Sequence, residues 1–486
     1  MAEISDQLST SVEKMWISKS SLAIFVGVSV ATITYYLSHV VKKPVLITGS
    51  KSCADFLQHH CPVLVQEYYP TVWCFTSRAH TILCSVLSDL TRWKLPPYRR
   101  EVLDMPDGGE LHLDWLEHHG NSHYNNSHHD NRTHPIIVIL PGMSGNSRSH
   151  YVINLARGAS KKGYRSVVYN HRGSNGVKLK NNKYYCAADT SDLQHVVTHI
   201  RKLYPDAPLM AAGVSLGGMI TFNYLAKFGK DCGLVAAMVM SMPWNTFKTT
   251  ESLEEPLNRL LFNKYLTFGL TQYVRQNREV FDKDSRVDVD HALKSSTIAE
   301  YDKRFTIKVF GFESVDQFYT LASACYKVSK VQTPLLSLNA ADDVFAPLSS
   351  IPTKEIEKNP NIALVVTSHG GHIGFGDWLF PSRESFMDKL YQQYVDAVFK
   401  YRQEEHVGTQ KKREWENREE SWVTKVDPDT KRNLEKERMV GKRVSKSPGG
   451  KWPCPVCARV CGSRIGLYSH QRIHENEKRK VLSIQF

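Results

Sequence analysis

Residues 208–219 read Pro-Leu-Met-Ala-Ala-Gly-Val-Ser-Leu-Gly-Gly-Met, and this stretch is the strongest indication of the fold in the sequence. An apolar run typical of a buried strand leads into Gly213-Val214-Ser215-Leu216-Gly217, and an amphipathic helical pattern follows it. The pattern Gly-x-Ser-x-Gly between a strand and a helix predicts a sharp turn with a strained backbone at the serine. The serine hydroxyl would then stand at the tip of the turn, where it can act as a nucleophile.

A serine hydroxyl is a weak nucleophile and needs a general base beside it. In enzymes with such a turn, the partners follow along the chain in the order serine, acid, histidine. After an apolar strand at 335–338, the sequence offers Asp343 as the acid, with Asp342 as the alternative. We favour Asp343 because of its spacing from the next proline. After the last strand, His372 follows two glycines and is the predicted base, whereas His369 is expected to be a loop neighbour.

Ester hydrolysis also requires hydrogen-bond donors for the oxyanion that develops on the carbonyl oxygen. The strand at 136–140 ends in Pro141-Gly142-Met143, which predicts one donor at the backbone N–H of Met143. The second predicted donor is the backbone N–H of Leu216, the residue after the serine. The predicted active site thus consists of three side chains and two backbone donors, and it needs no cofactor for catalysis.

Apolar strands and helical stretches alternate along the central part of the chain. This alternation predicts an α/β domain at 101–402, with a mostly parallel sheet covered by helices on both faces. A helix-rich interruption at about 245–330 is expected to form a lid over the site. Prolines punctuate the aromatic-rich segment at 42–100, which we interpret as an extended arm that leads into the domain.

A membrane anchor is predicted at 20–41, after an N-terminal tail at 1–19. The anchor segment contains no Lys, Arg, Asp or Glu, and as a helix it would span about 33 Å, enough for a bilayer core. A cleaved signal peptide is one alternative, but its apolar region is usually shorter. A buried core helix is another, and the lack of a polar stripe argues against it. We predict a single-pass protein of the endoplasmic reticulum or another endomembrane, of undetermined orientation.

The C-terminal part differs in composition from the rest of the chain. Residues 401–486 hold 20 Lys and Arg against 12 Asp and Glu, so this part carries +8 of the net charge of +13. Large apolar residues almost disappear at 403–450, where we predict a charged linker. The basic character therefore belongs mostly to an appendage and indicates little about the domain that carries the serine.

A Cys2His2 zinc finger is predicted at 451–478, after the linker. The chain there follows the pattern Cys454-x2-Cys457-x12-His470-x3-His474, which is the ligand spacing of a structural zinc site. The stretch is similar to single fingers in the tails of animal retroelement polyproteins. One finger reads about 3 bp, so it does not by itself predict a nucleic-acid partner.

Several motifs together resemble one known family. They are LPGMSGNS at 140–147, NHRG at 170–173, GVSLGGM at 213–219, WNTF at 244–247, DDVFAP at 342–347 and GGHIGF at 370–375. They resemble the α/β-hydrolase-domain-containing proteins of the subgroup with members 1 and 3, which includes a medium-chain phospholipase, and the likeness covers about 20–402. The resemblance implies the α/β-hydrolase fold, a membrane anchor and a triad of Ser215, Asp343 and His372 that cleaves acyl esters of phospholipids.

Four functions stay open at this point. The favoured one is a membrane-anchored serine hydrolase that cleaves acyl esters of glycerophospholipids, as a phospholipase A1 or A2 or a carboxylesterase, through an acyl-enzyme intermediate. The alternatives are a nucleic-acid-binding protein with an inactive hydrolase domain, a membrane scaffold, and an acyltransferase. His372 and Asp377 match the H-x4-D spacing found in acyltransferases. We favour the hydrolase because a complete triad follows in the expected order.

Overall fold

The computed structural model describes most of the chain. The described residues are 19–82, 94–117, 132–377, 384–401, 452–453 and 460–461. The chain divides into two units, one that ends at Tyr394 and one that begins at Val395. The predicted tail, apart from Lys19, lies outside the described residues, and so does the predicted linker at 403–450.

A nine-stranded sheet forms the centre of the first unit. In chain order its strands are β1 (Val45–Ile47), β2 (Arg99–Asp104), β3 (Glu110–Leu116), β4 (Ile136–Leu140), β5 (Arg165–Asn170), β6 (Leu209–Val214), β7 (Ala236–Met240), β8 (Leu335–Ala340) and β9 (Ile362–Thr367). The spatial order is β1-β9-β8-β7-β6-β4-β5-β3-β2. Strands β4 to β9 pair in parallel, whereas β1, β2 and β3 pair antiparallel at the two edges. Every residue of β4 to β9 is buried, as their unbroken apolar runs predicted.

Helices join the parallel strands and pack against the sheet. The helices between β4 and β7 are His150–Lys161, Ser191–Leu203 and Leu216–Phe228, and Thr353–Ile356 and residues 386–394 are helical further on. In the helix after β5, the buried residues Leu193, Val196, Val197 and Ile200 recur at helical spacing and form its core face. The helix that follows Ser215 is buried along most of its length, because it packs against the central strands β6 and β7.

A helical insertion separates β7 from β8, at the position predicted for the lid. Its helices are Thr246–Glu254, Pro256–Asn258, Lys264–Gln276, Arg278–Phe281, Val289–Leu293, Ile298–Tyr301, Ile307–Phe310 and Val315–Ala322, with π-helical turns at Arg259–Asn263 and Asp302–Thr306. The first helix begins at Asn245, whose side-chain oxygen accepts the N–H groups of Phe247 (3.0 Å) and Lys248 (3.2 Å). This cap satisfies two of the N–H groups that every helix start leaves without a partner.

Part of the segment predicted as an extended arm belongs to the sheet. Strand β1 pairs antiparallel with β9 at one edge, and helix Lys51–His60 follows it. Ser50 caps that helix, because its Oγ accepts the N–H of Cys53 at 3.2 Å. Three residues are too few to show a strand periodicity in the sequence. Residues 45–47 form a strand because they pair with the open edge of β9. The sheet thus recruits residues well before the predicted domain boundary at 101.

The predicted anchor is helical. An α-helix at Lys19–Tyr35 continues as a π-helical turn at Tyr36–Val40. The stretch Leu22–Val40 has a mean hydropathy of 1.5 and is long and apolar enough to cross a bilayer. Side chains such as Ile24 and Phe25 are 67% and 70% exposed, which argues against a buried core helix.

The second unit is described only in part. Residues 395–401 are helical, and the two-residue strands Trp452–Pro453 and Val460–Cys461 pair antiparallel. The predicted zinc ligands lie outside the described residues; they are Cys454, Cys457, His470 and His474. Within the part of the chain that the structure describes, no group of three His, Cys, Asp or Glu side chains could hold a metal ion. The zinc finger therefore stays a prediction.

Candidate active site

Ser215 lies at the turn between β6 and helix Leu216–Phe228, where the motif predicted it. Its φ is 52° and its ψ is −116°, a backbone conformation that residues with a side chain rarely adopt. Its N–H donates to the carbonyl oxygen of Met240 on the neighbouring β7 (2.9 Å), which fixes the turn against the sheet. The strained turn holds the Ser215 side chain at the carboxyl edge of the sheet.

Two glycines of the motif are required by close packing. A Cβ atom on Gly217 would lie 2.3 Å from the carbonyl oxygen of Leu140 on β4. A Cβ atom on Gly213 would lie 2.5 Å from the carbonyl oxygen of Gly217. Both distances are far shorter than a carbon–oxygen contact, so any side chain would force the backbones apart. The motif thus combines a strained serine with two positions that admit only glycine.

The three predicted side chains meet beside this turn. The Nε2 atom of His372 lies 2.8 Å from Oγ of Ser215. Its Nδ1 atom lies 2.9 Å from Oδ2 and 3.1 Å from Oδ1 of Asp343. Asp343 and His372 are buried, and Ser215 is partly exposed. In this arrangement an imidazole can take the hydroxyl proton while the carboxylate fixes the orientation of the ring.

The two adjacent aspartates have different partners. Asp343 also accepts the N–H of Phe345 at 2.8 Å, and the Phe345 ring stacks on the imidazole of His372 with centroids 4.1 Å apart. Asp342 instead accepts the N–H of Gly371 at 2.9 Å. Burial raises the pKa of Asp342 to about 7, and the neighbouring charge of Asp343 adds to the effect. Asp343 is therefore the acid in contact with the imidazole, and Asp342 supports the loop that carries it.

Hydroxyl groups from distant parts of the chain hold the backbone at His372. The N–H of His372 donates to Oγ1 of Thr81, and the N–H of Ile373 donates to Oγ of Ser241, both at 2.9 Å. Ile373 and Ser241 have positive φ angles of 65° and 49°. Sequence reasoning missed both hydroxyls. The only signal for Ser241 is its place directly after β7, at the same sheet edge as Ser215.

The predicted oxyanion donors lie next to Ser215. A Cβ atom on Gly142 would lie 3.2 Å from Cβ of Ser215, so the loop after β4 passes directly over the serine. The N–H groups of Met143 and Leu216 have no hydrogen-bond acceptor among the residues that the structure describes. Both residues line the same cavity as Ser215. Two such N–H groups beside a serine hydroxyl form an arrangement that can receive a developing oxyanion.

The NHRG motif supports the oxyanion loop from behind. The Nε2 atom of His171 lies 2.9 Å from the carbonyl oxygen of Pro141, and the N–H of Gly142 donates to the hydroxyl of Tyr151 at 2.9 Å. Burial lowers the pKa of His171 to about 4, so its ring is neutral at physiological pH. A carbonyl oxygen can only accept, so Nε2 carries the proton. The sequence shows the motif, but the contact between His171 and Pro141 is visible only in the structure.

A cavity of about 820 Å³ reaches Ser215 and His372. The insertion between β7 and β8 supplies most of its apolar wall, which includes Leu253, Leu261, Phe262, Leu266 and Phe268. This volume is typical of sites that enclose a small molecule or an acyl chain. Ser215 therefore faces a half-open, largely apolar cavity.

The H-x4-D pattern is not used as an acid–base pair in this structure. The carboxylate of Asp377 forms an ion pair with the ammonium of Lys389. His372 contacts Asp343 through Nδ1 and Ser215 through Nε2, so both ring nitrogens are occupied. The geometry that would support the acyltransferase interpretation is therefore not formed by these two residues.

A serine turn on a mostly parallel sheet, with an acid and a histidine after later strands, defines the class of α/β hydrolases. Residues 135–377 match the family described as alpha/beta hydrolase fold. The chain is 44% identical over 382 residues to human phospholipase ABHD3, which covers 78% of this chain and 91% of that protein. It is 27% identical over 417 residues to monoacylglycerol lipase ABHD2 of Danio rerio, over 81% of this chain and 96% of that protein.

Among solved structures, esterase Pf2001 of Pyrococcus furiosus aligns with a TM-score of 0.41 and 16% identity, over 64% of this chain and 94% of that chain. The family match and the identity to ABHD3 are the stronger findings. The chain belongs to the alpha/beta hydrolase family and is an ester hydrolase. The predictions of the α/β-hydrolase fold and of a hydrolytic enzyme are confirmed.

The variant Asp342→Asn tests the environment of the second aspartate. In the folded protein the pKa of Asp342 is raised from 3.8 to about 7. Its contribution to stability is therefore full below pH 4 and is lost as the pH rises through 7. The amide keeps an acceptor for Gly371 and does not ionise. We expect the variant to gain about 1–2 kcal/mol in free energy of unfolding at pH 8, and to gain nothing at pH 4.

Urea unfolding followed by tryptophan fluorescence at pH 4, 6 and 8 measures this difference. Asp290→Asn is the matched control, because Asp290 is exposed and its pKa is lowered by a hydrogen bond from Arg278. It should show no gain at pH 8. Identical unfolding of wild type and Asp342→Asn at pH 8 would contradict the assignment of a raised pKa.

Proposed function

We propose that the protein is a membrane-anchored serine hydrolase that cleaves acyl ester bonds of glycerophospholipids, as a phospholipase A1 or A2 or a carboxylesterase. The observation that carries the proposal is the 2.8 Å contact between Ser215 Oγ and His372 Nε2, with the carboxylate of Asp343 2.9 Å behind the ring. The identity to phospholipase ABHD3 supports phospholipid as the substrate class.

In the first half-reaction, Ser215 Oγ attacks the ester carbonyl carbon while Nε2 of His372 takes the hydroxyl proton. The carbonyl oxygen becomes an oxyanion and accepts hydrogen bonds from the N–H groups of Met143 and Leu216. Asp343 stabilises the imidazolium. The intermediate collapses when the bond to the alcohol breaks, and His372 gives its proton to that alcohol oxygen. The products are a lysophospholipid and an acyl ester on Ser215.

In the second half-reaction, water replaces the hydroxyl of Ser215 as the nucleophile. Nε2 of His372 takes a proton from the water as it attacks the acyl carbonyl carbon. The same two backbone donors receive the oxyanion. The bond to Ser215 Oγ then breaks, the proton returns from His372 to that oxygen, and the fatty acid leaves.

The cavity supports an acyl chain as the group that is bound. Its wall contains leucine and phenylalanine side chains, and Ser215 is among the residues that line it. Each methylene group of an acyl chain that is buried against this wall contributes about 0.8 kcal/mol of favourable transfer free energy, until the cavity is filled. The polar part of a phospholipid gains nothing from this wall, so the head group is expected to stay outside.

The membrane part of the proposal rests on two apolar surfaces. One is the helix Leu22–Val40. The other, which we call the lid patch, consists of Leu257, Leu260, Tyr265 and Phe268, which are 50–74% exposed. Exposed apolar groups of this kind mark contact with a membrane or a partner. Tyr265 and Phe268 also line the cavity, so the lid patch lies where a lipid would enter.

Replacement of the three catalytic candidates tests the chemistry. Ser215→Ala should abolish fluorophosphonate labelling and phospholipid hydrolysis, because no other group supplies the attacking oxygen. Asp343→Asn should lower kcat by about 10⁴-fold, because the imidazole loses its orienting charge. Asp342→Asn is the matched control and should stay within about threefold of wild type, since its carboxyl contacts Gly371. Labelling that persists in Ser215→Ala would disprove the assignment, as would equal losses for both aspartates.

The lid patch is tested with Leu260→Asp, because Leu260 is 62% exposed and is not among the residues that line the cavity. A carboxylate there opposes insertion into a bilayer. We expect at least about tenfold lower kcat/KM on phospholipid vesicles, equivalent to about 1.4 kcal/mol, and an unchanged rate on a water-soluble short-chain ester. Leu203→Asp is the control, since Leu203 is exposed and lies just before the amino end of β6. Equal losses on both substrates would contradict membrane contact.

We also propose that residues 451–478 form a structural zinc finger. The support is the ligand spacing and the pairing of Trp452–Pro453 with Val460–Cys461, which flank the two cysteines. Zinc held by Cys454, Cys457, His470 and His474 would replace the hydrophobic core that so short a segment lacks. This metal would stabilise the finger and take no part in ester hydrolysis.

Metal analysis of the purified full-length chain tests the finger. We expect one zinc per chain in wild type and a loss of zinc in Cys457→Ser, with phospholipid hydrolysis unchanged in both. Cys461→Ser is the matched control, because Cys461 stands outside the ligand spacing and its replacement should keep the metal. Wild-type protein without zinc would disprove the finger, and it would leave the hydrolase proposal untouched.

A further inference from the structure

The loop that carries His372 rests on a part of the chain far away in sequence. We call residues 368–377 the histidine loop and residues 36–82 the N-terminal segment. Oγ of Ser368 donates to the carbonyl oxygen of Val40 at 3.0 Å, and the hydroxyl of Tyr68 donates to the carbonyl oxygen of Gly376 at 2.7 Å. The N-terminal segment therefore contacts both ends of the histidine loop.

The central contact is made by Thr81, in the helical turn at 77–82. Its Oγ1 accepts the N–H of His372 at 2.9 Å, and its hydroxyl donates to the carbonyl oxygen of Ser77, also at 2.9 Å. A hydroxyl has one proton to donate, and this proton is used within the helical turn. The helical turn therefore fixes the orientation of the Thr81 hydroxyl. The lone pairs of Oγ1 then point to the N–H of His372 in the histidine loop.

The packing at this contact is close. A Cβ atom on Gly371 would lie 2.5 Å from the carbonyl oxygen of Ser77 and 2.6 Å from Oγ1 of Thr81. The φ of Gly371 is 57°, which also favours glycine. The two backbones thus touch directly before His372. A shift of the helical turn must move the backbone from which the imidazole extends.

We propose that Thr81 is a positioning residue for His372. Its hydroxyl fixes the backbone of the histidine loop so that Nε2 stays within hydrogen-bonding distance of Ser215. The inference rests on the proposed role of His372 as the general base. A displacement of about 1 Å at a reacting group can cost about 10²-fold in rate. The hydroxyl therefore contributes to kcat, although Thr81 takes no part in proton transfer.

Thr81→Val removes the hydroxyl and keeps the branched shape, and Thr81→Ser keeps the hydroxyl. For the full-length chain in nanodiscs, we expect at least about tenfold lower kcat for Thr81→Val, with KM within about twofold of wild type. The rate of fluorophosphonate labelling should fall by a similar factor, because it reports the activation of Ser215 without the lipid substrate. Thr81→Ser should recover most of the rate.

Thr198→Val is the matched control. Thr198 lies in a helix and its hydroxyl donates to the carbonyl oxygen of Gln194 at 2.8 Å, which is the same i to i−4 bond that Thr81 makes. Thr198 has no contact with the histidine loop among the described residues. The Thr198→Val variant should therefore show the kcat and the labelling rate of wild type. Thr81→Ala repeats the test if the valine side chain disturbs folding, which thermal unfolding of each variant reports.

The outcomes separate the inference from the proposed function. An unchanged kcat and labelling rate in Thr81→Val would overturn the positioning role. A higher KM with an unchanged kcat would also overturn it, because Thr81 lines the cavity and would then act as a substrate contact. Hydrolysis that survives Ser215→Ala would instead overturn the proposed function, whatever the result at Thr81.

Discussion

The hydrogen bond between Ser215 and His372 joins two residues that are 157 positions apart in the sequence. The fold must therefore bring two distant segments to within hydrogen-bonding distance. The parallel sheet makes it achievable. Ser215 follows β6, Asp343 follows β8 and His372 follows β9; in the order β9-β8-β7-β6, β8 is adjacent to β9 and only β7 separates β8 from β6. Because the carboxyl ends of parallel strands lie at one edge, residues from three distant segments converge there. Strained backbone at Ser215 and Ile373 is tolerated because the buried strands below leave no room for relaxation.

Much of this arrangement could be predicted from the sequence, because its determinants are local. The apolar runs of β4 to β9 and the glycines of the serine turn are visible without tertiary information. The spacing favours Asp343 over Asp342, but two adjacent carboxylates differ mainly in what they contact after folding. Ser241 and Thr81 could not be predicted at all. Their role depends on contacts across 132 and 291 residues, and no local pattern reports such contacts.

Burial shifts the pKa of several groups around the site towards their neutral forms. Burial raises the pKa of Asp342 to about 7, and it raises the pKa of Asp302, in the cavity wall, to a similar value. Burial lowers the pKa of His171 to about 4. The groups around the proposed triad thus lose charge through protonation equilibria rather than through ion pairs. Below pH 7, Asp342 is mostly protonated and therefore adds little charge beside the proposed pair of Asp343 and His372.

The N-terminal segment changes what counts as the catalytic domain. The family match begins at residue 135, yet the histidine loop is held by Val40, Tyr68 and Thr81. The hydroxyl of Tyr36, in the last turn of the predicted anchor helix, donates to the carbonyl oxygen of Pro70 at 2.6 Å, and Pro70 in turn pairs with Asp377 at the end of the histidine loop. The last turn of this helix thus contacts the loop directly through Val40, and a second time through Pro70. A chain that began at the predicted boundary of 101 would lose β1, the helical turn at 77–82 and every one of these contacts. The predicted anchor helix and the site are therefore one structural unit, and this helix is part of the support of the histidine loop.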